Sequence, residues 1–202
     1  MRIPGLVIKS YGENCLIRIH KENINKFAGC TIHIAEKCKN VFIEIDKTSY
    51  SINDFYIHAG YGVNQKIKVG RNFSCWGCAI NANDADCGII IGNDCMFSRS
   101  IVIWCGDGHS ILDKESKKIL NPNGQIILID DHVWVGEGVK MTKSAHIHRN
   151  SVAAIGSVIS KDYKESNVIL AGNPARIIKH DIDWDRRNPY TYIRIVKSEL
   201  FD

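Results

Sequence analysis

From residue 129 onward an aliphatic or small residue returns every six positions: Ile129, Val135, Met141, Ile147, Ala153 and Ile159. Four places after each of them come Val133, Val139, Ala145, Ser151, Ser157 and Tyr163, all but the last small or β-branched. A helix repeats at 3.6 residues and a simple strand at 2, so a period of six belongs to neither. It fits a coil of short flat strands and tight turns, in which each hexapeptide forms one side of a triangular prism. The large aliphatic points inward, and the small residue four places later sits at the crowded corner. Each coil touches mainly its neighbours, so such a fold is quasi-one-dimensional. The unbroken register argues against ordinary short strands in a sandwich. Upstream the phase recurs at Ile57, Val63 and Val69, and a second, shifted run occupies Ile91, Phe97 and Ile103. The expected class is therefore all-β, a parallel β-helix of hexapeptide repeats.

The organisation follows from where the rhythm holds. A single β-helix domain is expected over residues 1–183, with irregular coils over 1–85 and regular hexapeptide coils over 86–180. In the irregular part, segments 14–19, 30–34 and 40–45 alternate apolar and polar residues between polar or Gly-containing turns. They are read as further coils with longer turns. The tail, 184–202, carries Tyr190, Ile193, Val196 and Leu200 at helical spacing after Pro189, which predicts one short helix. That helix is expected to cap the prism or pack on a neighbouring chain.

Composition narrows the partners. A chain of 202 residues, 45% apolar and 24% charged, supports one sizeable core. The net charge of +4 is mildly basic, but Lys and Arg are not gathered into blocks. An anionic ligand is expected, and nucleic acid is not. The longest apolar runs, 89–91 and 125–129, are too short for a transmembrane segment. The opening MRIPGLVIKSYGEN lacks the apolar stretch of an export signal, so a cytoplasmic location is expected. The eight cysteines are accordingly read as reduced. Cys75 and Cys78 have CxxC spacing, but a zinc ribbon needs a second such pair and a thioredoxin motif needs a βαβ setting. They are read as small buried hydrophobes.

Between Ile103 and Ile129 the rhythm fails. The intervening stretch, about 104–126, is rich in Gly, Asn, Pro and charge, which marks an excursion from the prism. Loops mounted on a rigid scaffold are where chemistry is usually placed. His109, between Gly108 and Ser110, carries the side chain best suited to take a proton near neutral pH.

Residues 89–179 resemble the hexapeptide-repeat acyltransferases of the left-handed β-helix class. The branch they resemble is the maltose/galactoside/serine acetyltransferase-like group that includes capsule and lipopolysaccharide O-acetyltransferases. The stretches that carry the resemblance are Ile91-Gly-Asn-Asp-Cys-Met-Phe-Ser98, Asp107-Gly-His-Ser-Ile-Leu-Asp113, Asp131-His-Val-Trp-Val-Gly136, Gly156-Ser-Val-Ile-Ser-Lys-Asp162 and Ala171-Gly-Asn-Pro-Ala-Arg176.

The resemblance implies acetyl transfer from acetyl-CoA to a hydroxyl or amine. It implies His109 as the general base of a direct attack, with no acyl-enzyme on Cys105. Trp134 matches a Trp that lies beside the acetyl and pantetheine end of CoA, where an indole packs and donates. Ala154, Gly156 and Ser157 match small residues that let pantetheine approach the backbone, although the family often has Gly-Ala where this chain has Ala154-Ile155. Lys143, Lys161, Pro174 and Arg176 match positions that meet the nucleotide end, where cations suit phosphate. A homotrimer is implied, with the site completed between neighbours. No metal is expected: His132, His146 and His148 lie in the repeat with no carboxylate or Cys at i, i+4. The function so read is O-acetylation of a sugar hydroxyl of a surface polysaccharide (capsule or O-antigen) or its precursor. The alternatives are N-acetylation of an aminosugar or small molecule, and a non-enzymatic β-helix scaffold.

Overall fold

The computed structural model describes residues 2–199. Three parallel sheets of seven, six and eight strands wind around one apolar interior as a left-handed β-helix. The first face runs from Leu6–Ser10 to Val158–Ile159, the second from Leu16–Ile19 to His146–Ile147, and the third from Phe27–Ala28 to Ile169–Gly172. An antiparallel partner to that last strand, Ala175–Lys179, closes the third face.

Alternation makes the faces. In Phe55–Ala59 and Cys78–Ala82 every second side chain is buried, as the two-residue strand period requires. Parallel register then stacks like on like: on the first face Ile32, Ile57, Ile80, Ile103, Met141 and Ile159 form one buried column. The six-residue series and its fourth-place partners are buried as read, Tyr163 included. Ile91, Phe97 and Ile103 pair with Ile129, Val135 and Met141, so the shifted run is the same register displaced by the excursion.

Coil length separates the two halves. Lys140 pairs with Val158 and Leu128 with His146, each 18 residues on, which is three hexapeptides. Phe55 pairs with Cys78, 23 residues on, and Thr31 with Tyr56, 25 on. The additional residues form longer turns, including a two-stranded ribbon of Cys38–Lys39 and Gly62–Val63. This corrects one reading: Ile57 and Val69 are buried, but Val63 lies on that ribbon and is exposed.

Several corners adopt left-handed backbone, mostly at Asn and Asp, which tolerate it best. Asn40, Asn64 and Asp86 stack at one such corner through side-chain hydrogen bonds of 3.0 and 2.8 Å. The strand before the excursion extends through Cys105, and the next begins at Ile126. The excursion is therefore 106–125, and Trp104 belongs to the prism.

The tail folds back before its helix. Trp184 stacks on His132 at 4.3 Å, and its indole N–H donates to the His132 carbonyl. Arg186 crosses two successive coils, donating to Asp94, Ser74 and the carbonyls of Asn72 and Cys95. The expected helix spans Pro189–Glu199, with Asn188 accepting from the Thr191 amide as its cap. Tyr190, Tyr192 and Ile193 are exposed on it, and Leu200 lies outside the described residues.

Candidate active site

The excursion leaves the prism at the corner between the first and second faces. Its root is tied down by polar contacts rather than by apolar packing. Asp107 forms an ion pair with Lys143 at 2.5 Å. Asn121, from the far end of the loop, donates to Asp107 at 2.7 Å and to the His109 carbonyl at 2.8 Å, and accepts from the Ile111 amide. Lys143 and Asn121 together hold the Asp107 carboxyl below the usual aspartate range. A two-residue bridge between Leu112 and Ile119 narrows the outer loop.

His109 lines an open cavity of about 450 Å³ with Tyr61, Asp84, Ser110, Ile119 and Asn121. Tyr61 and Asp84 come from upstream coils, so no local motif indicated them. Asn121 was also missed; the only signal was its place in an Asn-Pro-Asn-Gly turn. The His109 side chain is exposed, and among the described residues it has no hydrogen-bond or ion-pair partner. Both ring nitrogens are open to a substrate.

Trp134 lies elsewhere. It sits on the third face, in register with Met96 and Val152, and remains 37% exposed. It lines a cavity of about 630 Å³ with Met96, Trp184, Arg186, Arg187 and Tyr192, and no residue lines both this cavity and that of His109. The tail, expected to cap the prism or pack on a neighbouring chain, thus contributes an aromatic wall and cations beside Trp134.

The remaining candidates divide along the same line. Lys143 and Lys161 occupy successive turns at the first corner, below the excursion. Lys143 is spent on Asp107 and anchors the loop. Lys161 is exposed, over the Tyr163 ring. Ala154 and Gly156 lie where the third face turns back to the first, and Gly156 has open space where a Cβ would stand. Ile155 between them projects into solvent, the departure from Gly-Ala noted above. Pro174 and exposed Arg176 are on the closing hairpin of the third face. Ser157 is 0% exposed, with its hydroxyl turned to the Leu170 carbonyl. It fills the corner as the repeat demands and offers a ligand no side-chain surface.

The cysteines are all free, and all but Cys15 are buried. Burial pushes the Cys75 thiol up to about 12 and Cys78 upward as well. Cys105 is buried and directs its thiol to the Gln125 and Gly88 carbonyls, away from the His109 cavity. The histidines of the repeat are also corrected. His146 and His148 do have carboxylate partners, Asp130 and Asp162, from the coils on either side. His132 is separate, held by Asp94 and Trp184.

No protein-family model matches the chain. It is 36% identical over 145 residues to the polysialic acid O-acetyltransferase of Escherichia coli O1:K1 / APEC, spanning 72% of this chain and 45% of that protein. It is 30% identical over 149 residues to the galactoside O-acetyltransferase of Escherichia coli K12, spanning 70% of this chain and 66% of that one. The crystal structure of the polySia-specific acetyltransferase NeuO superposes with a TM-score of 0.66 at 25% identity, covering 92% of this chain and 84% of the other. The chain therefore belongs to the hexapeptide-repeat acetyltransferases of the left-handed β-helix class. Within that class its relatives include enzymes named for polysialic acid and for galactosides, and the chain spans less than half the length of the first of these.

Proposed function

We propose that the chain is an acetyl-CoA-dependent O-acetyltransferase acting on a sugar hydroxyl of a surface polysaccharide, capsule or O-antigen, or of its precursor. The observation that carries this reading is His109 at an open cavity, on a loop whose root is fixed by Asp107, Asn121 and Lys143. A sugar hydroxyl is a poor nucleophile and must lose its proton as it attacks. The His109 imidazole takes that proton, the hydroxyl oxygen bonds to the thioester carbon, and the carbon–sulfur bond breaks as the tetrahedral intermediate collapses. The CoA thiolate leaves and recovers a proton from the imidazolium. Donors near the thioester must stabilise the oxyanion.

Acetyl-CoA lies against Trp134 in this reading, with Ala154 and Gly156 allowing close approach and Lys161 and Arg176 toward the phosphates. His109 and Trp134 are on different sides of one prism. One substrate pair can meet both only if they come from two copies, so the working unit is a homotrimer with its sites between neighbours. The reading keeps the cytoplasm as the place of action; among the described residues no helix is long and apolar enough to cross a membrane.

The test is thiol release from acetyl-CoA across a panel of sialylated and galactosyl glycans, aminosugars and amino acids. Release with a glycan, together with a base-labile acetyl ester in the product, is expected. Release only with amines would move the assignment to N-acetylation, and no release with any acceptor would leave the scaffold reading.

A further inference from the structure

On the second face, toward its far end from the excursion, four side chains from three successive coils converge. Leu128–Ile129 pairs with His146–Ile147, and His146 bridges in turn to Asp162. Asp130 immediately follows the upper strand. Ile147 points inward, so His146 and His148 both point outward, as the strand period demands. Their rings lie 3.8 Å apart, centroid to centroid.

The imidazoles are arranged head to tail between the two carboxylates. Asp130 meets His146 through Nε2 at 2.9 Å and His148 through Nδ1 at 3.5 Å. Asp162 meets the opposite nitrogens, His148 Nε2 at 2.8 Å and His146 Nδ1 at 3.7 Å. Lys164 satisfies the other oxygen of Asp162 at 2.7 Å. Asp130 has no Lys or Arg partner among the described residues, only the two imidazoles.

We propose that Asp130, His146 and His148 form a binding site for a divalent transition-metal ion, with Asp162 as the outer carboxylate that orients both rings. One ligand atom from each of the three residues lies within 4.8 Å of the others. A tetrahedral ion about 2.1 Å from each donor sets them about 3.4 Å apart, close to the spacing already present. Two imidazoles and one carboxylate suit Zn²⁺ or its neighbours rather than Mg²⁺ or Ca²⁺. A carboxylate on the far nitrogen of a ligating histidine fixes its tautomer and raises its basicity, which is the position Asp162 holds. The side chains are 19%, 22% and 34% exposed for His146, His148 and Asp130, so an ion can enter without unfolding. The ion neutralises Asp130 and ties adjacent coils together on the second face. The site stands apart from His109 and Trp134, and its existence does not depend on acetyl transfer.

The experiment is Zn²⁺ titration of the chelator-treated full chain by calorimetry, with thermal unfolding followed in parallel. Saturation at one ion per chain and a raised melting temperature are expected. His148→Ala abolishes saturable binding, and Asp162→Asn weakens it about 10- to 100-fold. Both substitutions are at the surface, and circular dichroism checks that the variants fold. As a second readout, Co²⁺ bound to the unaltered chain gives ligand-field bands without thiolate charge transfer. Absence of saturable binding, binding unchanged in folded His148→Ala, or a thiolate charge-transfer band pointing to the cysteines would each overturn the site.

Discussion

The two regions of the prism that the proposed function draws on are built in opposite ways. The excursion corner holds an exposed imidazole, His109, on a 20-residue loop, 106–125, secured by an ion pair and an Asn bridge. The Trp134 side is flat sheet, walled by a tail that is itself anchored through Trp184 and Arg186. One side offers an imidazole with no orienting partner among the described residues. The other offers an aromatic surface and cations. Under the proposed function these are two half-sites, and assembly makes them one.

The comparison breaks most severely at His109. His109→Ala is expected to lower turnover by about 10²- to 10⁴-fold, the usual worth of a positioned base, with acetyl-CoA affinity nearly unchanged. Retention of most activity would remove His109 from that role. A mixed assembly sharpens the point. Co-folding equal amounts of His109→Ala and Trp134→Ala chains should restore activity at about a quarter of the sites if each site draws one residue from each of two neighbours. No recovery would place both residues in one chain's site.

Trp134→Ala alone should weaken acetyl-CoA binding roughly tenfold, about 1.4 kcal/mol, and lower turnover as well. Unchanged kinetics would contradict its placement beside the thioester.

A smaller effect is expected at the loop root. Lys143→Met should reduce turnover several-fold through a less ordered excursion, leaving CoA affinity intact. The Asp107 carboxyl is depressed in the folded chain by Lys143 and Asn121. A depressed carboxyl contributes stability that is complete above its unfolded value, about 3.9, and is lost as pH falls through the folded value. The loop should therefore resist proteolysis at neutral pH and loosen only in acid. Removing Lys143 raises the Asp107 value and moves that loosening to higher pH; a profile that does not move would show that Asp107 does not secure the loop.

The smallest effect is expected at Cys105. With its thiol buried among the Gln125 and Gly88 carbonyls, Cys105→Ala should leave turnover largely unchanged. Abolished turnover in a folded variant would revive a covalent route.

Legibility in the sequence followed range. The inward column and the corners repeat every six residues, so local spacing alone identified the prism, the burial of Ile129 through Ile159 and the place where the rhythm stops. His109 was legible because it stands in that gap, and Trp134 because a short motif surrounds it. Val63 was misread because coils of 23 or 25 residues break a six-residue count. At Ser157 the sequence left two roles open, because small residues suit both a ligand groove and a crowded corner, and spacing does not distinguish them. Asn121, Tyr61 and Asp84 were invisible because they reach His109 across the loop or from earlier coils.

By itself, then, the sequence determined the solenoid, since side chains repeating at a fixed short interval can be buried together only by winding. Which surface residues meet was decided by tertiary structure alone. Asp130 finds His148, and Asp94 finds Arg186, because stacked coils place residues 18 or more positions apart within hydrogen-bond reach. The division of His109 from Trp134 has the same origin: the excursion leaves the prism at the corner between the first and second faces, and the chain crosses the whole second face before Trp134 enters the third.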